Sequence, residues 1–224
     1  MKPQKKLLSQ EEIENHINNI DNFMPDMHST HYDVESLKGY RNIIVVGPQR
    51  SGTTFTAQVI AKDLEYQYID ESVFGVRNQD VFKKLNQTTN RVFQAPALTY
   101  NIHNLIEEND LVVFMVRKWS DILKSVNKKN KGKLSQYIYY KGSDNVARMN
   151  ENKYISADLG YHDFFNNDVC DDDVYIWNLI YKAWKVYQKP RIENTLNIWY
   201  ESMKKHEMWL DKPNRNHFGP KDIK

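Results

Sequence analysis

The residues best suited to chemistry lie together in Gly47-Pro-Gln-Arg-Ser-Gly-Thr-Thr54. Gly52 lets the backbone come close to an anion, and the amides that follow, at a helix N-terminus, point toward it. Ser51, Thr53 and Thr54 bring hydroxyls, and Arg50 brings charge on a rigid donor fork. Such a set suits a phosphate-like group. It departs from the triphosphatase pattern GxxxxGK[ST], which needs Lys directly after the second glycine to reach the β and γ phosphates. Thr53 stands there, and the positive charge has moved to Arg50. The second confident strand ends in Val116 and Arg117, where a Mg²⁺ site would want an acid, so no metal is expected. A guanidinium at that strand end and the hydroxyl of Ser125, in the next helix, can clamp one anion. Asp70 and Glu71 follow a short strand at the same edge of the sheet, where a carboxylate can act as a base or cap a helix.

The elements that must position these groups read as an α/β arrangement. Arg41–Gly47 and Leu111–Arg117 are apolar, β-branched runs, as expected of strands buried on both faces of a parallel sheet. Helical character follows the first from Thr53 to Leu64. Further short strands are expected at Tyr66–Ile69, Arg91–Gln94 and Leu196–Tyr200, with a helix over 121–127. Strands alternating with helices predict a doubly wound parallel sheet flanked by helices, in a single domain spanning 39–224. Residues 1–38 read as an N-terminal helical extension, with an amphipathic helix at 9–24 capped by Ser9. Residues 128–165 form a long polar insertion, and 174–188 a helix bearing Trp177, Ile180, Tyr181, Trp184 and Tyr187 on one face.

With these residues in order, Pro48-Gln-Arg-Ser-Gly-Thr-Thr-Phe55 resembles the 5′-phosphosulfate loop of the sulfotransferases that use 3′-phosphoadenosine 5′-phosphosulfate (PAPS). The form is closest to the carbohydrate and tyrosylprotein branches. The family binds the cofactor's 3′-phosphate with an Arg at a strand end and a Ser eight residues on, and Arg117 and Ser125 match that spacing. Phe93-Gln-Ala-Pro-Ala-Leu98 resembles the strand-and-Pro segment of the acceptor site, and Trp199-Tyr-Glu-Ser202 the late Tyr-Glu strand. The resemblance covers residues 41–202 and implies a P-loop-type fold. It also implies transfer of a sulfuryl group to a hydroxyl or amine of a small-molecule or glycan acceptor. Arg50, Ser51, Gly52, Thr53, Thr54, Arg117 and Ser125 would hold PAPS, and no metal would be required. Charge growing on the leaving phosphate needs fixed donors, and an acceptor hydroxyl needs a base. Glu71 matches the Glu of the tyrosylprotein branch and is the favoured base, with Asp70 and His103 as the other candidates. The family's C-terminal Arg-Lys-Gly loop over the 3′-phosphate is not visible, with Arg215 or Lys221 as the candidates to replace it. The acceptor site is then expected from 72–100 and 128–165.

Two other classes share the strand–loop–helix logic: a nucleotide or nucleoside kinase, and a nucleotide-binding protein without catalysis. Thr53 in place of Lys counts against the kinase. The chain has 224 residues with 31 Lys and Arg against 29 Asp and Glu, for a net charge of +2. That balance argues against a nucleic-acid partner, and the lysines at 124–133 read as a solvated loop. The single cysteine, Cys170, excludes an internal disulfide framework, and its acidic neighbours disfavour a reactive thiolate. The basic start MKPQKKLLSQEE lacks the apolar run of a signal peptide, and no stretch approaches a membrane span. A cytoplasmic protein with no membrane partner is expected.

Overall fold

The computed structural model describes residues 28–48, 50–75, 78–99, 101–118, 120–122, 124–125, 184 and 189–210. The helix expected at 9–24, the insertion at 128–165, Cys170, Arg215, Lys221 and all of helix 174–188 except Trp184 lie outside them. The chain divides into two compact units, residues 27–117 with 183–224, and residues 1–26 with 118–182. In the second unit Ser120, Asp121, Ile122, Lys124 and Ser125 are helical, with Ile122 buried.

The first unit is an α/β fold on five strands, β1 (Asn42–Val46), β2 (Gln67–Ile69), β3 (Arg91–Gln94), β4 (Leu111–Val116) and β5 (Thr195–Trp199). All pair in parallel in the order β2-β3-β1-β4-β5. Helix α1 (Thr53–Asp63) follows β1, α2 (Glu71–Phe74) and α3 (Gln79–Asn86) follow β2, and α4 (Glu207–Leu210) comes last. Every residue of β1 and β4 is buried. Side chains alternate across a sheet, so a strand covered on both faces has no polar position, hence the unbroken apolar runs.

On one face Ile43, Val45, Leu111, Val113 and Met115 pack against Ala57, Val59, Ile60 and Ala61 of α1. On the other, Phe93 joins Phe74 of α2 and Phe82 of α3, with Phe82 and Phe93 centroids 5.0 Å apart. Phe114 stacks on Trp184 at 4.7 Å, and the Trp184 indole N–H donates to Asn197 Oδ1 at 2.9 Å. Residues 72–100 therefore supply core as well as surface. α2 and α3, which the sequence reading left unassigned, are capped by Asp70 and Asn78, whose carboxylate and amide oxygens accept from Ser72 N and Val81 N.

Because all five strands run the same way, their carboxyl ends share one edge. The chain leaves β1 toward β2 on one side of the sheet and leaves β4 toward β5 on the other. The ends of β1 and β4, which are neighbours, therefore flank a crevice at the point where the winding reverses, the usual ligand position in open parallel sheets.

Candidate functional site

The turn from β1 into α1 is built around two glycines. Gly47 has φ +134°, and a side chain there would press on the backbone of Met115 in β4, within 3.1–3.2 Å. Its amide donates to Thr99 Oγ1 at 3.1 Å, and that hydroxyl donates to Pro96 O at 2.7 Å. The Phe93–Leu98 segment thus braces the exit of β1. Gly52 has φ +101°, and a Cβ would lie 2.1 Å from the Tyr200 ring, so both backbone and neighbour require glycine. Arg50, at φ +68°, is a non-glycine residue in the left-handed region and is exposed.

Gly52 occupies the N-cap of α1 and has no side chain with which to cap it. The first amides of a helix have no carbonyl within the helix to meet, which gives this end its affinity for negative charge. Thr54 is exposed and Thr53 buried. Ser51 is completely buried, and both its amide and its hydroxyl donate to Pro48 O, at 3.1 and 2.6 Å. Its hydroxyl proton is used to shape the turn.

Arg117, at the end of β4, is half-buried and meets this turn directly: Nη1 donates to Arg50 O at 2.8 Å. Its guanidinium lies 4.3 Å from the Tyr200 ring centroid, and Nε lies 3.6 Å from Glu201 Oε1. Tyr200 and Glu201 open the 3-10 segment Tyr200–Lys205 after β5. Their sequence signal was the Trp199-Tyr-Glu-Ser202 segment, but pairing with Arg117 depends on β5 lying beside β4, which no local pattern reveals. Ser125 is a half-buried helical residue of the other compact unit.

At the end of β2 the two acids part company. Asp70 is the N-cap of α2: Oδ1 accepts from Ser72 N and Ser72 Oγ at 2.9 and 2.7 Å, and Oδ2 from Tyr68 OH at 2.9 Å. Burial, and then the Asp70 charge and hydrogen bond, push the Tyr68 hydroxyl well above its ordinary range. Glu71 begins the helix instead of capping it. It is half-buried, with its amide facing the Oε1 of buried Gln94 at 3.5 Å. His103 lies on the 3-10 turn Ile102–Asn104, within the connection from β3 to β4.

One edge of the sheet thus gathers Glu71 after β2, the Gly47–Gly52 turn after β1, Arg117 after β4 and Tyr200–Glu201 after β5. A helix N-terminus beside the Arg117 guanidinium can hold an oxyanion, and a carboxylate farther along the edge can accept a proton. Among the described residues, no three His, Cys, Asp or Glu side chains gather as a metal site would require, and no helix is long and apolar enough to cross a membrane. Comparison with protein-family models and with curated proteins returns no match.

Proposed function

We propose that this chain is a sulfotransferase of P-loop type. It would move a sulfuryl group from PAPS to a hydroxyl or amine of a small-molecule or glycan acceptor, in the cytoplasm and without a metal. The observation that carries the reading is the junction of two strand ends at the winding reversal, where Arg117 of β4 donates to the Arg50 carbonyl of the β1–α1 turn at 2.8 Å. The Arg117 guanidinium and a helix N-terminus at one edge, with Arg50 in the same turn, suit a ligand with more than one anionic group.

The donor nucleotide would supply the activated sulfuryl group. Arg50 and the amides and hydroxyls at Thr53 and Thr54 would meet charge growing on the leaving phosphate. Arg117 would hold a further phosphate. Glu71, which matches the Glu of the tyrosylprotein branch, would take the acceptor's proton. With β3 between β2 and β1, the strand ends carrying Glu71 and the turn stand roughly 10 Å apart, which leaves room for an acceptor. Thr53, where a kinase would need Lys, supports this reading over the metal-dependent one.

The test is transfer from labelled PAPS to a panel of sugars, alcohols and amines in the presence of a chelator. Glu71→Gln is expected to lower the rate at least about a hundredfold while leaving nucleotide affinity intact. Full-rate transfer by that variant would remove Glu71 as the base. PAPS binding without transfer to any acceptor would point to a nucleotide-binding protein that has no catalytic role.

A further inference from the structure

We infer that Glu201 is an internal competitor for the Arg117 guanidinium and sets how strongly that site takes up an anion. The inference rests on the reading of Arg117 as an anion ligand. Among the described residues Arg117 meets the Arg50 carbonyl, the Tyr200 ring and the Glu201 carboxylate. The side chains of Arg117 and Glu201 are 18% and 17% exposed, so water and salt screen the pair weakly. Their closest approach is 3.6 Å, beyond the reach of a directed hydrogen bond. At that separation charge holds the pair, whereas an oxyanion able to bond the guanidinium at about 2.7–2.9 Å adds directed bonds to the charge. A second anion beside Glu201 is repelled by it, so the entering group either displaces the carboxylate or binds against its charge.

Displacement also has a path into the turn. Glu201 follows Tyr200, whose ring covers Gly52, and precedes Met203, whose sulfur accepts from Thr56 Oγ1 of α1 at 3.1 Å. Moving the carboxylate therefore loads the segment that closes the β1–α1 turn.

Thermal unfolding is followed at constant ionic strength while sulfate replaces chloride, in the wild type, Glu201→Gln, Arg117→Gln and the double variant. The sulfate concentration giving half the full rise in Tm is expected to fall on the order of tenfold in Glu201→Gln, because the like charge is gone while the shape is kept. That gain is expected to vanish when Arg117 is also replaced. Glu201→Met, uncharged and of similar length, should shift the midpoint in the same direction. Equal midpoints in the wild type and both Glu201 variants, or a gain that survives Arg117→Gln, would overturn the inference. Calorimetric titration with 3′-phosphoadenosine 5′-phosphate (PAP) separates it from the sulfotransferase reading. A sulfate gain with no PAP binding keeps the role of Glu201 and removes the nucleotide. PAP binding of equal affinity in the wild type and Glu201→Gln, with no sulfate gain, does the reverse.

Discussion

The two edges of the sheet are both polar, and they use their polarity in opposite ways. At the amino edge Asp110 has a fully buried carboxylate that receives Arg41 Nη2 at 2.9 Å, Asn86 Nδ2 at 2.6 Å and the Glu107 amide at 2.9 Å. Arg41 Nη1 donates to Asn86 O at 2.6 Å, and Asn42 links Asn86, Thr88 and Arg91 through its side-chain amide. These groups bond one another across the starts of β1, β3 and β4, so they fix register. At the carboxyl edge the turn after β1 enters the left-handed region at Gly47, Arg50 and Gly52, and the Arg117 guanidinium meets that turn. At one edge the polar groups bond chiefly to one another, while the other keeps a helix terminus and charge where a ligand can reach them.

Breaking the amino edge should cost the most. Asp110→Ala strands Arg41 and the Asn86 amide, and a loss of about 3–5 kcal/mol in stability is expected from urea denaturation. PAP affinity of the protein that remains folded should hold, because no part of that network reaches the crevice. Equal stability of the variant would mean that the network does not anchor the sheet. At the carboxyl edge Gly52→Ala is expected to cost about 3 kcal/mol, from left-handed strain and from the collision with Tyr200. Unlike Asp110→Ala it should also abolish PAP binding, since relieving the collision moves the turn. Ser51→Ala sharpens the contrast at the smallest scale. Loss of the bond to Pro48 O should cost about 1 kcal/mol, with a smaller effect on PAP affinity than Arg50→Ala. The opposite ranking in calorimetry would make Ser51 a ligand in place of a brace.

The amino acid sequence revealed the layers of the first unit wherever burial on both faces left an unbroken apolar run. β3 falls at Arg91–Gln94 as expected, while β1, β4 and α1 end within a residue of their expected limits. α2 and α3 escaped notice because four and eight residues are too few to establish a 3.6-residue period. The caps at Asp70 and Asn78 were the legible signal. Within the candidate site, the strand–turn–helix context of Gly47–Thr54 could be read directly, and so could the strand-end position of Arg117. Which of Asp70 and Glu71 caps α2 could not, since it depends on which acid folds back onto Ser72 and Tyr68. Nor could the partnership of Arg117 with Tyr200 and Glu201, which follows from strand order.

The most direct test of the central claim, that the crevice between the ends of β1 and β4 takes up a multiply phosphorylated nucleotide without a metal, is calorimetric titration of the full chain. PAP is compared with ATP plus Mg²⁺, in the wild type and in Arg117→Ala. The account predicts metal-independent PAP binding that Arg117→Ala weakens at least about a hundredfold, as removal of a charged ligand to phosphate should. Preference for ATP with Mg²⁺, or PAP binding indifferent to Arg117, would contradict it.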